Sequence, residues 1–158
     1  MRKVRLYLDT SVVSHIFADD TPERMADTIA LWEELKLGKF DIFVSETTLF
    51  EIDKCDEPKR TKMLMKLKEI NYTNLTETQE VNDLAKAYID KKVLTIKSLD
   101  DCMHIAFGVI SQCDIIVSWN FKHLVNYKTI GNIKIVNAIN LYKEIEIMTP
   151  SMIIGGQK

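Results

Sequence analysis

Two of the residues best suited to chemistry in this sequence stand directly after runs of apolar residues. Asp9 follows Val4–Leu8, and Asn120 follows the apolar run at 115–119. Short apolar runs bounded by polar residues predict buried strands. In open α/β sheets, ligands bind beyond the carboxyl ends of the strands, at the crevice where the strand order reverses. An acid and an amide at such ends are therefore candidate ligand-binding groups.

Two further acids accompany helices that are predicted to begin at a serine. Glu51 lies in the helix opened by Ser45, and Asp101 lies in the first turn of the helix opened by Ser98. A lone acid in a first helical turn also has a simple structural role, because it complements the helix dipole. Asp100 competes with Asp101 for the chemical role. We prefer Asp101, because the D-x-x-H-I-A pattern places a histidine and an isoleucine on the same helical side as this acid.

Asp9, Glu51, Asp101 and Asn120 together form an oxygen-rich set that is typical of a site for a hard cation. Two carboxylates about 5 Å apart repel by roughly 3 kcal/mol at an effective dielectric of about 20, so a cluster of three needs a positive charge. Carboxylate and amide oxygens without a thiolate favour Mg²⁺ or Mn²⁺ over zinc. Such an ion activates water for phosphodiester hydrolysis. Because the amide of Asn120 adds no charge, we expect one ion to bind firmly and a second only weakly.

The elements that would position these residues alternate between strands and helices. The apolar pattern predicts strands at 4–8, 41–44, 115–118 and 133–136. Helices are predicted at 22–37, from 45, from 58, at 76–91, from 98 and at 137–145. This alternation favours an α/β fold, in which helices cover both faces of a parallel sheet. We assign residues 1–148 to one domain and residues 149–158 to a loose C-terminal tail.

Composition and charge limit the classes of protein to which the chain can belong. Its 158 residues, 46% hydrophobic and 28% charged, are typical of one globular domain. A formal net charge of -2 argues against a nucleic-acid packaging protein, which needs many basic residues. Three cysteines without CxxC spacing predict a reducing compartment. Because we find no signal peptide and no apolar run of membrane-spanning length, we expect a cytoplasmic protein that does not bind membranes.

Four short motifs occur in a characteristic order: L-D-T-S at 8–11, T-L-F-E-I at 48–52, D-C-M-H-I-A at 101–106 and I-I-V-S-W-N-F-K-H-L at 115–124. This ordered set resembles the PIN-domain nucleases, a family that includes the VapC-type toxins of toxin–antitoxin systems. The resemblance implies a Rossmann-like, three-layer α/β/α fold with a parallel sheet of four or five strands. It also implies Mg²⁺ or Mn²⁺ as cofactor and RNA as substrate. Asp9, Glu51 and Asp101 take the metal-binding and catalytic positions, and Thr10 and Ser11 match hydroxyl positions that help to hold metal-bound water or phosphate.

The sequence departs from the commonest family pattern at the fourth acidic position, where it has Asn120. The W-N-F-K-H motif there is similar to one branch of the family, so we interpret Asn120 as a variant metal-binding and catalytic residue. Lys122 and His123 follow closely and are candidates for contacting phosphate. Trp119 and Phe121 are candidates for stacking on bases, although we prefer packing beneath the crevice for Trp119.

Other candidate residues have simple structural alternatives. His104 is a candidate general base, but its apolar helical surroundings favour a buried core role. Lys128 lies near the predicted crevice and could steer phosphate. The basic stretch at 59–68 could grip RNA, although the charges on one side of an amphipathic helix are usually just solvated.

These residues and motifs lead to three functional hypotheses. The leading hypothesis is a metal-dependent endoribonuclease, the toxin of a toxin–antitoxin pair, with RNA, an antitoxin protein and a second copy of the chain as partners. The alternative is a catalytically weak or inactive PIN-like module that binds RNA or acts as a scaffold, because Asn120 replaces an acid. A phosphoacceptor response domain is disfavoured, since it needs paired acids at its first strand end and Asp9 stands alone there.

Overall fold

A central parallel sheet carries the fold of the protein, for which a computed structural model describes residues 2–155. Within that range the sheet has five strands: β1 Val4–Leu8, β2 Phe40–Ser45, β3 Tyr72–Leu75, β4 Ile115–Val117 and β5 Glu146–Met148. Their order is β3-β2-β1-β4-β5, and every neighbouring pair is parallel. The chain passes from β3 on one side of β1 to β4 on the other. The order of the strands therefore reverses between β1 and β4, and the predicted α/β class is confirmed.

Helices connect the strands at the places that the capping residues and prolines predict. The described residues form α1 Thr10–His15, α2 Pro22–Lys36, α3 Glu46–Asp53, α4 Lys59–Leu67, α5 Gln79–Asp90, α6 Leu99–Ile110, α7 Tyr127–Ile139 and α8 Pro150–Gly155, with a 3₁₀ turn at Ile96–Ser98. The predicted starts near Pro22, Ser45, Pro58 and Ser98 are confirmed. No helix between residues 2 and 155 combines the length and apolar character needed to cross a membrane.

Two apolar clusters cover the two faces of the sheet. Side chains alternate along β1, so Leu6 and Leu8 belong to one cluster and Tyr7 belongs to the other. The first cluster includes buried residues of α1, α2, α3, α4 and α8, and the second includes those of α5, α6 and α7. Both faces of the sheet are buried, which explains the near-continuous apolar character of the central strands. The protein thus has the predicted three layers.

Gly108 allows α6 to pack closely on β4. A Cβ atom at this position would lie 2.9 Å from Cγ1 of Ile116 and 3.2 Å from Cδ1 of Ile145, which is closer than ordinary van der Waals contact. Because α6 also carries Asp101 and His104, this close approach fixes the distance between these two side chains and the end of β4.

The last quarter of the chain differs from its predicted secondary structure. Residues 133–136, predicted as a strand, lie inside α7, so that prediction is wrong, and the predicted helix at 137–145 is helical only as far as Ile139. The run of β-branched residues is overridden by the Asn126 cap and by burial of Ile133 and Val136 at helical spacing. The last strand is β5 instead. The sequence pattern also gave no indication of the edge strand β3, in which no residue is fully buried.

The segment predicted as a loose tail contains a helix. Pro150 and Ile153 of α8 are buried, and Ser151 Oγ donates to Asp27 of α2 at 2.7 Å. These contacts extend the packed part of the chain to Gly155, because α8 covers apolar surface that α2 would otherwise expose. Residues 156–158 of the predicted tail lie outside the described residues.

Candidate active site

The candidate site lies at the carboxyl end of the sheet, at the gap between β1 and β4. Asp9 directly follows β1, and its backbone N–H donates to the carbonyl of Val117 at the end of β4. Ser118 and Asn120 follow β4, while α3 and α6 bring Glu51 and Asp101 to the same edge. This gap is the point where the strand order reverses, which is where ligands bind in open α/β sheets.

Two serines hold the carboxylate of Asp9, which is 4% exposed. Ser11 Oγ donates to Oδ1 and Ser118 Oγ donates to Oδ2, both at 2.5 Å. The same two hydroxyls accept hydrogen bonds from the backbone, Ser11 from Trp119 N at 2.8 Å and Ser118 from Asn120 N at 2.9 Å. The serines therefore join the start of α1 to the loop after β4 and fix the orientation of the acid.

A buried hydrogen-bond chain runs from Ser45 through Tyr7 and His104 to Glu51. Tyr7 Oη lies 2.7 Å from Ser45 Oγ and 2.6 Å from His104 Nδ1. On the other side of the imidazole, His104 Nε2 lies 2.5 Å from Oε1 of Glu51, which also accepts from Thr10 Oγ1 at 2.9 Å. The second oxygen of Glu51, Oε2, receives no hydrogen bond from the described part of the chain. One carboxylate oxygen is thus held by protein donors and the other is free.

The pKa directions in this cluster favour a protonated His104 beside an ionised Glu51. Burial acts to lower the pKa of His104, but its hydrogen bond to Glu51 and the charges of Asp9 and Asp101 raise it above its ordinary value. Burial acts to raise the pKa of Glu51, yet the hydrogen bond and charge of His104 bring it below its ordinary value. Burial raises the pKa of Asp9, and the neighbouring imidazolium and serine donors only partly oppose this. In this arrangement His104 supplies positive charge between three acids.

A second hydrogen-bond group forms around Asp101 at the mouth of the site. Its Oδ2 lies 2.8 Å from His123 Nδ1, and its Oδ1 accepts from Asn120 Nδ2 at 3.3 Å. Asn120 Oδ1 accepts from His123 N at 2.9 Å, and Ser98 Oγ lies 3.0 Å from His123 Nδ1. The structure therefore brings together Asp101, Asn120 and His123, whereas Asp100 is exposed and takes no part in this group.

The donor atoms of the site fit a hard cation in chemical type, but they are not drawn together around one. Within residues 2–155, no three side chains among the Asp, Glu, His and Cys residues are grouped closely enough to hold a metal ion. Carboxylate and hydroxyl oxygens dominate the site, and no thiolate is near it, which matches the preference of Mg²⁺ or Mn²⁺. Glu51 Oε2 accepts no hydrogen bond from residues 2–155, so all of its lone-pair capacity is open to such a ligand.

The side chains predicted to contact nucleic acid flank this cluster. Trp119 is buried and donates from Nε1 to Thr28 Oγ1 at 2.8 Å, in agreement with the preferred packing role. Phe121 is 44% exposed, and the Arg24 guanidinium lies 4.9 Å from its ring centroid. Lys122 is exposed next to it.

Several residues of the site were missed by the sequence analysis. Ser118 and Tyr7 contact Asp9 and His104 directly, yet neither was singled out. Ser118 lies within one of the quoted motifs, so its position between β4 and Asn120 was a usable signal. His104 is buried as predicted, and it is also bonded to Glu51. Its position three residues after Asp101 on one helical face was the only sequence signal for that second role.

No protein-family model and no curated protein matches this sequence. Its fold is similar to a chain in the crystal structure of VapBC2 from Rickettsia felis bound to a DNA fragment from their promoter. That superposition has a TM-score of 0.59 at 11% sequence identity, and it covers 92% of this chain and 98% of that chain. At this identity the likeness concerns the fold alone. It confirms the predicted PIN-like α/β/α architecture over nearly the whole chain.

Proposed function

We propose that this protein is a metal-dependent endoribonuclease and the toxin of a toxin–antitoxin pair. The observation that carries this proposal is the position of Asp9, Glu51 and Asp101 around His104, near the reversal point of a PIN-like sheet. Three acids near one ligand-binding edge repel one another, and the single imidazole of His104 can offset at most one of their three charges. A cation that binds between them removes this repulsion and gives the cluster a chemical role.

Mg²⁺ or Mn²⁺ would be held by Asp9, Glu51 and Asp101, with Asn120 at the fourth position. When bound, such an ion supplies an activated water and neutralises charge that develops on the phosphodiester. His104 positions Glu51 by its hydrogen bond at Nε2. Ser11 and Ser118 orient Asp9, and Asn120 orients Asp101 through its amide nitrogen.

The RNA strand would approach the carboxylates from the side of His123, Lys122 and Phe121. The imidazole of His123 is turned by its Nδ1 towards Asp101, and its other ring nitrogen has no hydrogen-bond partner in residues 2–155. An exposed aromatic ring backed by Arg24 offers a stacking surface for a base. Thr10 Oγ1 donates its hydrogen bond to Glu51, so this hydroxyl positions the carboxylate and its proton is not free to bind phosphate.

An antitoxin protein and a second copy of the chain are the proposed macromolecular partners. In the similar structure, VapBC2 is a complex bound to a DNA fragment from its promoter. On this chain, a groove of about 530 Å³ lies beside the site and is partly lined by the exposed apolar side chains of Phe50, Ile96 and Leu99. Exposed apolar surface of this kind marks contact with other proteins. We further propose a cytoplasmic location, which the three free cysteines support.

The test of the proposed activity is cleavage of varied RNAs by the pure protein with Mg²⁺ or Mn²⁺. We expect cleavage that a chelator abolishes and that Asp9→Asn lowers at least about a hundredfold, since the variant removes a charged group from the reacting site. Asp41→Asn is the matched control, because Asp41 is an exposed acid at the amino end of β2, away from the site. Protein that is inert on every RNA would contradict the proposal. RNA binding without cleavage, unchanged by Asp101→Ala, would favour the RNA-binding module instead.

Three further measurements test the metal and the partners. A Mn²⁺ titration of the free protein should give one firm site and one weak site, and two equally tight sites would contradict the role given to Asn120. Light scattering should give the mass of a dimer, whereas a monomeric mass would contradict the homodimer. Co-purification with the product of a short adjacent reading frame tests the antitoxin.

A further inference from the structure

Two neighbouring grooves beside the carboxylates differ sharply in charge. They share a rim formed by Ile89 and Ile96. One groove, of about 530 Å³, is lined by four acids and a single lysine, which are Glu46, Glu77, Asp90, Asp100 and Lys86. The other, of about 790 Å³, is lined by four lysines and no acid, namely Lys92, Lys97, Lys122 and Lys128, and we call it the basic groove.

The four lysines of the basic groove are exposed and unpaired. None of them forms an ion pair with a carboxylate in the described part of the chain, whereas Lys36, Lys39, Lys66 and Lys143 each do. The chain as a whole has a formal net charge of -2, so this concentration of free positive charge is a local feature. Mutual repulsion between unpaired lysines is unfavourable, and an anion that binds along the groove relieves it.

The basic groove leads directly to the carboxylates through His123. This histidine lines the groove, and its Nδ1 lies 2.8 Å from Oδ2 of Asp101. Ser98, another lining residue, lies 3.0 Å from the same nitrogen. A polyanion that follows the lysines therefore arrives at Asp101 without crossing the acidic groove.

Exposed aromatic residues immediately precede two of the lysines in the sequence. Phe121 precedes Lys122 and is 44% exposed, and Tyr127 precedes Lys128 and is 95% exposed. Bases of a single strand stack on such rings, whereas the bases of a duplex are already stacked on one another. The combination of a lysine-lined groove with exposed rings matches the surfaces that bind single-stranded nucleic acid.

We propose that the basic groove binds the phosphodiester backbone of single-stranded RNA next to the cleaved bond. This inference rests on the proposed ribonuclease function and extends it, because it assigns the path of the strand and the residues that hold it. Lys92 and Lys97 come from the segment between α5 and α6, Lys122 and Lys128 come from the segment after β4, and His123 links the groove to the carboxylates.

The proposal predicts a defined dependence of RNA affinity on salt. The logarithm of the affinity for a single strand falls with the logarithm of salt concentration by about 0.7 for each phosphate neutralised. Four lysines therefore give a slope of about −2.8, and a rise from about 50 to 200 mM salt weakens binding about 50-fold. Removal of two lysines leaves a slope of about −1.4 and a loss of about 7-fold.

The experiment measures binding of a fluorescein-labelled RNA of mixed sequence, about 15 nucleotides long, by anisotropy in EDTA, so that binding is read without cleavage. Lys97→Gln/Lys128→Gln removes one charge from each of the two chain segments that line the groove and leaves the carboxylates and their hydrogen bonds intact. Lys59→Gln/Lys62→Gln is the matched control, because these exposed lysines lie on α4 and are unpaired within residues 2–155. We expect the groove variant to show the shallower slope and the control to keep the wild-type slope. Equal thermal unfolding of all three proteins verifies the fold.

Several outcomes would overturn the proposal. They are a wild-type slope in the groove variant, an equal loss of salt dependence in the α4 variant, duplex RNA of the same sequence binding as tightly as the single strand, and polyglutamate competing as well as RNA.

A cleavage assay separates this proposal from the proposed function. RNA binding that depends on the groove lysines, in a protein that cleaves no RNA, would support the proposed RNA-binding groove and contradict the proposed ribonuclease activity. RNA cleavage by the groove variant with an unchanged KM would support the proposed ribonuclease activity and contradict the proposed RNA-binding groove.

Discussion

Replacing Ser118 with alanine tests the support of the most buried acid in the site. Ser118 Oγ donates to Asp9 Oδ2 at 2.5 Å and accepts from Asn120 N at 2.9 Å. Ser118 itself is 0% exposed, so water cannot easily replace the lost hydroxyl. Ser118→Ala removes both hydrogen bonds and keeps Cβ, so the backbone after β4 has no steric reason to move.

The expected loss follows from these two contacts. A hydrogen bond to a charged group contributes about 1.5–3 kcal/mol, and the unpaired N–H of Asn120 adds to the loss. We therefore expect the free energy of unfolding to fall by about 2–3 kcal/mol. For a chain of this size, this corresponds to a fall in Tm of about 4–12 °C.

The assay is urea unfolding in EDTA of the wild type, Ser118→Ala, Asp9→Asn and the double variant. Because the two residues are in direct contact, their effects should be non-additive by about 0.5–3 kcal/mol. Ser14→Ala on α1 is the control, since its hydroxyl has no hydrogen-bond partner among residues 2–155. RNA cleavage by Ser118→Ala should fall by about 10- to 100-fold, because Asp9 loses its fixed orientation. A change in unfolding free energy below about 0.5 kcal/mol, or an additive cycle, would refute this account of Asp9.

Three further substitutions test contacts within the fold, of which the one at Asp114 lies at the amino end of β4, opposite the site. Tyr7→Phe should lower the free energy of unfolding by about 1–3 kcal/mol in urea unfolding, because the buried partners of the hydroxyl lose a hydrogen bond. Gly108→Ala should cost about 1–3 kcal/mol by calorimetry, since the new Cβ meets Ile116. The hydrogen bond from Arg2 holds the pKa of Asp114 well below its usual range. The stability that Asp114 contributes is therefore present above about pH 4 and lost as pH falls, and Asp114→Asn should flatten the acid loss of stability between about pH 5 and 2.

Each of these predictions has a matched control. Tyr72→Phe changes a tyrosine whose hydroxyl is unbonded in the described residues. If it lowers the free energy of unfolding as much as Tyr7→Phe does, the role given to the hydrogen bond between Tyr7 and His104 is contradicted. Gly131→Ala places a methyl group in open space within α7 and should stabilise the protein by up to about 1 kcal/mol. If Gly108→Ala stabilises the protein as much as Gly131→Ala does, the close packing of α6 on β4 does not exclude a side chain at position 108. An Asp41→Asn profile as flat as that of Asp114→Asn would show that the acid effect is not specific.

The candidate residues of the site could be identified from the sequence because their signals are local. Asp9 and Asn120 stand after apolar runs, and Asp101 is the third residue of a helix with a recognisable start. The final strand could not be identified in the same way. Ile133 and Val136 have the β-branched character of a strand, and the Asn126 cap together with their burial at helical spacing makes the segment a helix.

What the sequence determined by itself was the α/β class, the strands β1, β2 and β4, and the candidate acids Asp9, Glu51 and Asp101. The tertiary structure alone decided how those acids are held. The contacts of Asp9 with Ser118 and of Glu51 with His104 join residues 109 and 53 positions apart. Such pairs depend on β1 lying between β2 and β4 and on α6 approaching the sheet at Gly108. Strand order and helix approach arise from packing over the whole chain, which no local pattern records.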